Sequence, residues 1–479
     1  MHAVFQALRH NARTRPDAIA FRDDNEAASW AELATRVARM AQALQGAPGV
    51  IGLGLSGGIS TVVADLAVTL CGRRLVPLPF FFSAEQQAHV ICDAGVGAVI
   101  TEGAVSPGLR RIDPKLALGK EPVPLPDYPG GAERVIYTSG SSGRPKGVVL
   151  ADRQLGASIA ALSSVMAADT NDRHLSVLPL AQLLEQICGI FLPILAGAET
   201  VLCFGATKAL FGGPIAALSD AMTAVRPTTS LLAPALLGRW VADLVARDVR
   251  APDSLRFVAV GGAATPPALL AKAAACGIPV YEGYGLSECC AVVAMNRPGD
   301  RVAGSVGRVL DGLVVTIEGG EIVVAGPTVM QGYLNGPAAP ARWHTGDRGH
   351  FAQGRLVVEG RRDALLITGA GRNISPEWVE ARINADPRVV SSALCLRNDD
   401  VLVLLVAVQA PISLAEVATL LADLPAYARP AEVAFVDPRC PGLLFPAGTP
   451  NRAVAADIAA ACATMPIFPA IILSEDVSA

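Results

Sequence analysis

Apolar positions along the chain follow two periods. In "WAELATRVARMAQALQ" they recur at helical spacing and, with the residues before them, predict helix, turn and helix over roughly the first 45 residues. "GVIGLGLS" then predicts a strand, "STVVADLAVTLCGRRLVPLP" a helix leading into a strand, and "AHVICDAGVGAVIT" repeats the theme. The alternation continues through "RHLSVLPL", "AETVLCF", "TTSLLAP", "LRFVAVGG" and "IPVYEGYG". Short Val- and Ile-rich strands separated by helices predict an α/β domain of doubly wound, mostly parallel sheets with helices on both faces.

Beyond about Gly304 the texture changes. "GLVVTIEGGEIVVAGPTVM" and "GHFAQGRLVVEG" are short apolar runs bounded by Gly and Asp, as expected of antiparallel hairpins or a small barrel. A boundary is expected near "VEGRRDALL", dividing a large N-terminal domain, 1–360, from a small α+β domain, 361–479. The Pro-rich "KEPVPLPDYPGGAE" reads as an exposed connector.

Composition narrows the function classes. The 479 residues are 17% charged with a net charge of −4, and no run of Lys or Arg suggests a nucleic-acid partner. The longest apolar runs, such as "VLVLLVAV" at 401–408, fall short of the ~18 residues that span a bilayer and read as buried strands. The N-terminal stretch has no basic region followed by a long apolar core, so a cytoplasmic location is expected. Ten cysteines lack metal-ligand spacing and read mostly as buried free thiols. There are five lysines, Lys115, Lys120, Lys146, Lys208 and Lys272, and none follows Lys272.

One segment carries a chemical signal. "YTSGSSGRPKG", residues 137–147, holds seven Ser, Thr or Gly residues and Lys146. Flexible backbone N–H groups and hydroxyls after a strand suit phosphate oxygens, and composition alone also fits a surface loop. The order is not that of a GxxxxGK[ST] loop, since Lys146 follows Pro145 and precedes Gly147.

"YTSGSSGRPKGVVL" closely resembles the phosphate-loop signature of the adenylate-forming superfamily: acyl- and aryl-CoA synthetases, nonribosomal adenylation domains and luciferases. The resemblance continues in order through "LPLAQLLEQ", "VRPTTSLLAP", "VAVGGAAT", "YEGYGLSE", "GSVGRVLDG", "HTGDRGHF", "GRRDALLITGAGRNISPEWVE" and "LPAYARPAEVAFVD". It implies a ligase that binds ATP, Mg²⁺ and a small-molecule carboxylic acid, forms an acyl-adenylate, and passes the acyl group to the phosphopantetheine thiol of CoA or of a carrier protein.

The same resemblance implies site residues. Thr138, Ser139, Gly140, Ser141, Ser142, Gly143 and Lys146 match positions around the β- and γ-phosphates. Tyr284 matches the ring that stacks on adenine, Ser287 the hydroxyl that reaches the α-phosphate, and Glu288 the carboxylate that holds Mg²⁺. Asp347 and Arg361 match the pair that grips the ribose, and Asp363 the hinge about which the mobile small domain turns. Residues 369–380 match the loop that lines the acceptor's thiol tunnel. Gln182, where many members have His or an aromatic, and Gly261, Gly262, Ala263 and Gly285 fall in segments near the acid. The segment from Leu178 to Pro234 looks most like fatty-acyl-activating relatives, so an apolar, fatty acid is expected over an aryl or α-amino acid.

The pattern breaks near the C-terminus. Family members carry a G-K-x-x-R element whose lysine meets the carboxylate and the α-phosphate, where two anions at 4 Å repel by about 4 kcal/mol at an effective dielectric of 20. In "FPAGTPNRAV" Gly448 and Arg452 fit the ends and Thr449 stands at the lysine position. Three readings follow: an arginine such as Arg452 substitutes, the protein runs chiefly the thioester half-reaction, or it is a nucleotide-binding partner protein without turnover.

Overall fold

Seven short strands build the first of two large sheets, in the order Gly332–Tyr333, Lys146–Ala151, Glu133–Thr138, Arg74–Pro77, Val50–Leu53, Ala98–Ile100 and Arg110–Ile112. The computed structural model describes residues 1–119, 121–138, 145–362, 364–368, 373–386, 388–397, 400–440, 442–443 and 450–467. From Glu133–Thr138 outward to Arg110–Ile112 every pairing is parallel, whereas Glu133–Thr138 and Lys146–Ala151 form an antiparallel hairpin. Parallel strands need helical crossovers, and the helix Ile59–Leu70 between Val50–Leu53 and Arg74–Pro77 is buried along almost its whole length.

The second sheet has nine strands, ordered Arg308–Val309, Ala294–Met295, Val280–Tyr284, Phe257–Val260, Thr229–Leu232, Arg173–Ser176, Glu199–Leu202, Ile19–Arg22 and Ala27–Ser29. All five strands expected from "RHLSVLPL" to "IPVYEGYG" are present and run parallel to one another, and Val280–Tyr284 pairs antiparallel with Ala294–Met295 on its far side.

The N-terminal expectation of helix, turn and helix is corrected in its middle. The helices are His2–Thr14 and Trp30–Ala43, but the supposed turn is the hairpin Ile19–Arg22 and Ala27–Ser29. Its first strand pairs in parallel with Glu199–Leu202. A four-residue strand whose partner lies ~180 residues away leaves no local periodicity to read. Ser29 then caps the second helix, its side chain accepting from the Glu32 backbone while Glu32 reaches back, a complete capping box.

A buried ion pair links helix, strand and the turn beyond. Arg134 and Asp65, each 1% exposed, bond at 2.6 and 2.8 Å. Arg134 also donates to Gln186 at 2.6 Å and lies over the Phe191 ring. Gln186 and Phe191 bound the π-helical segment Gln186–Phe191. Fixing Arg134 fixes the strand that leads to Tyr137 and Thr138.

After Gly304 the expected antiparallel texture takes the form of a four-stranded sheet, ordered Val314–Glu318, Glu321–Ala325, Arg342–Ala352 and Arg355–Arg361. Its first hairpin turns on Gly319 and Gly320, both at positive φ as a tight two-residue turn requires.

Two compact units result: residues 1–345 with 349–358, and residues 346–348 with 359–479. In the second, Leu402–Val408 is the buried strand expected from "VLVLLVAV" and lies between Val389–Leu396 and Glu432–Val436. Helices Pro376–Ile383, Leu414–Leu420 and Arg452–Ala461 complete it. Among the described residues no helix is long and apolar enough to cross a membrane.

Candidate functional site

The two legs of the Ser/Gly-rich loop are held by one helix. Thr138 ends one strand and Lys146 begins the next, directly opposite each other in register. Tyr137 donates its hydroxyl to Oδ2 of Asp93 at 2.7 Å; burial and that carboxylate push its pKa far above the usual tyrosine range. His89 donates from Nε2 to the carbonyl of Pro145 at 3.1 Å. Both partners belong to the helix Ala84–Asp93, so the strand before the loop and the residue that closes it share one support. Ser139, Gly140, Ser141, Ser142 and Gly143 lie outside the described residues.

The second element follows the strand Val280–Tyr284. Gly285 admits no side chain: a Cβ there would fall 1.6 Å from the Ala291 carbonyl oxygen. The chain then makes the 3₁₀ turn Ser287–Cys289 and doubles back through Cys290 and Ala291 at φ 55° and 84°. Val293 donates to the Tyr284 carbonyl at 2.8 Å, closing the turn and displaying Ser287 and Glu288 near the end of the parallel sheet. That edge, at the carboxyl ends of parallel strands, is where α/β folds place ligands.

Tyr333, which the sequence reading did not single out, brings the two elements together. Its hydroxyl donates to Oε1 of Glu288 at 2.8 Å, and the Lys146 ammonium lies 5.7 Å above its ring centroid. The only sequence cue is its place in "QGYLN", a short polar stretch after an apolar run. One carboxylate at the hydroxyl and one ammonium over the ring of the same tyrosine form a mixed-charge cradle. A single carboxylate is the donor set expected for Mg²⁺, which completes its octahedron with water and phosphate oxygens. Among the described residues no group of three or more His, Cys, Asp or Glu could enclose a metal by itself.

Asp347 and Arg361 also meet, at 3.3 Å, within the second unit. Gly346, at φ 75°, allows the bend that lets Arg362 donate its backbone N–H to the Gly346 carbonyl at 2.7 Å. Asp363 and residues 369–372 lie outside the described residues.

The acid-side segments have defined shapes. Gln182 stands immediately before the helical turn Leu183–Glu185, and the backbone of Gln186 bonds to its carbonyl. Glu185, the one acid of that segment, is fully buried beside Nε2 of His174 at 3.4 Å, whose Nδ1 meets the Thr229 hydroxyl at 3.0 Å. Gly261 lies so close to Gly283 that a Cβ would sit 2.9 Å from its carbonyl oxygen, and Gly262 takes φ 84°. Ala263 is exposed.

Arg452 is engaged by two acids of its own unit. Its guanidinium bonds both oxygens of Glu380, at 2.7 and 2.9 Å, and Oε1 of Glu377 at 3.0 Å. Glu380 is 4% exposed and also accepts from the Leu394 backbone at 2.7 Å. Burial pushes the Glu380 carboxyl up, and Arg452 opposes that shift. Gly448 and Thr449 lie outside the described residues.

Comparison with known proteins places the chain in a family. A family model described as AMP-binding enzyme matches residues 8–334. The 2-succinylbenzoate–CoA ligase of Bacillus licheniformis is 30% identical over 373 residues, 71% of this chain and 74% of that protein. Long-chain-fatty-acid–CoA ligase 1 of Cavia porcellus is 29% identical over 54% of this chain, which spans 45% of that longer protein. The solved o-succinylbenzoate CoA synthetase of Bacillus subtilis in complex with its acyl-adenylate intermediate has the same fold, with a TM-score of 0.80, 24% identity, and coverage of 94% of this chain and 97% of that one.

Proposed function

Because the chain belongs to the AMP-binding family of adenylate-forming ligases, we propose that it activates a carboxylic acid with ATP and transfers the acyl group to the thiol of CoA. The observation that carries this reading is the meeting of Glu288, Lys146 and Tyr333, from three separate stretches of sequence, beside the legs of the phosphate-type loop.

In the first half-reaction a carboxylate oxygen attacks the α-phosphorus, the bond to the bridging oxygen breaks, and pyrophosphate leaves. Lys146 and Thr138 hold the β/γ end, Tyr284 the adenine, and Asp347 with Arg361 the ribose hydroxyls. Glu288 would hold Mg²⁺, whose charge would offset that of the phosphates. In the second half-reaction a thiol sulfur attacks the acyl carbon and AMP departs with the bonding pair.

For the acid, the relative matched over most of both chains acts on an aromatic carboxylic acid, and this supports a ring-bearing acid in place of the fatty acid expected from sequence. The fatty-acyl relative aligns over a smaller share of the chain. The absence of an Asp in the segment around Gln182 argues against an α-amino acid.

The engagement of Arg452 with Glu377 and Glu380 favours a second reading, in which adenylation is slow and the thioester half-reaction dominates. Pyrophosphate exchange across aryl, arylalkanoic, fatty and amino acids tests the first step. Thioester formation from synthetic acyl-AMP, with CoA or a carrier protein as acceptor, tests the second. Exchange with an aryl acid supports the full reaction; thioester from acyl-AMP without exchange supports the second reading; neither, in folded protein, defeats both.

A further inference from the structure

We infer that Tyr333 is a positioning residue for the nucleotide and its metal, acting through Glu288 with its hydroxyl and through Lys146 with its ring. The inference rests on the ATP-dependent reading above and assigns a role to a side chain outside the phosphate loop and outside the "YGLSE" turn.

Tyr333 is itself held from several directions. Its strand pairs antiparallel with Lys146–Ala151, Tyr333 opposite Val148, and the next backbone N–H, of Leu334, donates to the Gly147 carbonyl at 2.7 Å. Trp343 stands nearly perpendicular to its ring, with centroids 5.9 Å apart. Asn335 reaches back to the Asp93 carbonyl at 3.1 Å, the same residue that anchors Tyr137. Met330, three residues earlier, donates to the backbone carbonyl of Glu288 at 2.8 Å. The 330–335 segment therefore splints the Glu288 turn to the strand that carries Lys146.

Within that splint the phenol does two separate things. It bonds one oxygen of Glu288; among the described residues the other oxygen accepts no hydrogen bond. The carboxylate is thus fixed in orientation with one oxygen available, and a neutral donor leaves its charge intact. The ring face meets the Lys146 ammonium at a separation within the range of cation–π attraction, so a flexible lysine is drawn to the residue that also holds the carboxylate. Preorganising two opposite charges around one rigid group lowers the ordering cost at binding.

The two roles separate by mutation. ATP affinity is measured by calorimetry with Mg²⁺ and with EDTA in wild type, Tyr333→Phe, Tyr333→Leu, Glu288→Gln and the Tyr333→Phe/Glu288→Gln double variant. The ratio of the two affinities is unaffected by a reduced folded fraction, which alters only stoichiometry. Tyr333→Phe should keep metal-free affinity within twofold and lose about three- to tenfold of the Mg²⁺ enhancement. The double variant should lose no more enhancement than Glu288→Gln alone, as residues acting through one another are non-additive. Tyr333→Leu should in addition weaken metal-free binding severalfold. An unchanged enhancement in Tyr333→Phe, or an equal further loss in the Glu288→Gln background, overturns the hydroxyl's role. Full metal-free affinity in Tyr333→Leu overturns the ring's role. Wild type without Mg²⁺-enhanced ATP binding overturns the ATP reading itself, and the inference with it.

Discussion

Arg452 grips Glu380 with both terminal nitrogens, at 2.7 and 2.9 Å, and the second of these also reaches Glu377. Removing the guanidinium leaves a buried carboxylate without its partner, which typically costs about 3–5 kcal/mol. Arg452→Ala should therefore lower the stability of the second unit by that amount in urea unfolding. Arg452→Lys should recover only part, since an ammonium cannot fork onto both oxygens. Pyrophosphate exchange per folded molecule should change less than fivefold in Arg452→Lys; a hundredfold loss would return Arg452 to the chemistry.

The resemblance to the adenylate-forming superfamily implies an ammonium at the position of Thr449, where it would bring two anions together. Supplying that charge with Thr449→Lys should raise pyrophosphate exchange by one to two orders of magnitude, about 1.4–2.8 kcal/mol of barrier. Thioester formation from synthetic acyl-AMP should stay within twofold. An exchange rate that is already high and does not rise would show that the chain adenylates by another cation.

Glu282 lies on the strand that ends at Tyr284, and burial raises its pKa from 4.5 to about 7, against the lowering effects of the Gly304 N–H and Arg301. Between those values the folded chain keeps a proton that the unfolded chain has released. The stabilisation is complete below pH 4.5 and is lost as pH rises through 7, a change on the order of 3 kcal/mol. Glu282→Gln should flatten this slope and be more stable than wild type at pH 8, as read from urea midpoints at a series of pH values.

The Arg134–Asp65 pair is enclosed on all sides. Asp65→Asn should destabilise the first unit by about 3–5 kcal/mol, while replacing both residues with apolar side chains of similar volume should cost much less. Unfolding midpoints of the single and double variants check this. A double variant as poor as the single would mean that Gln186 and Thr69 depend on the guanidinium as well.

Much of the fold was legible because alternating helices and β-branched strands have distinct periods, and each strand from Arg173 to Tyr284 appears where the pattern put it. The Ile19–Arg22 hairpin was not, because pairing with a distant strand leaves no local mark. Of the candidate residues, Lys146, Tyr284, Glu288, Asp347 and Arg361 stood inside ordered motifs. Tyr333, Asp93 and His89 did not: their part is to hold other residues, and support of that kind depends on which elements become neighbours in space. The engagement of Arg452 was hidden for the same reason, since a charge's partner is not written beside it.

The parallel pairing of Phe21 with Thr200 gives the chain a temporal order as well as a spatial one. The helix His2–Thr14 is subject to the same delay, because Asn11 bonds the Ile194 carbonyl and Arg15 the Gly197 carbonyl. At ribosomal rates of about 5–20 residues per second, the first strand emerges roughly 10–40 s before the edge it completes. During that interval the apolar face of the helix and the open edge of the hairpin are exposed on the nascent chain. Residues 11–22 are thus held back until residues 194–201 have been made, and the strand Glu199–Leu202 sets when they are sheltered.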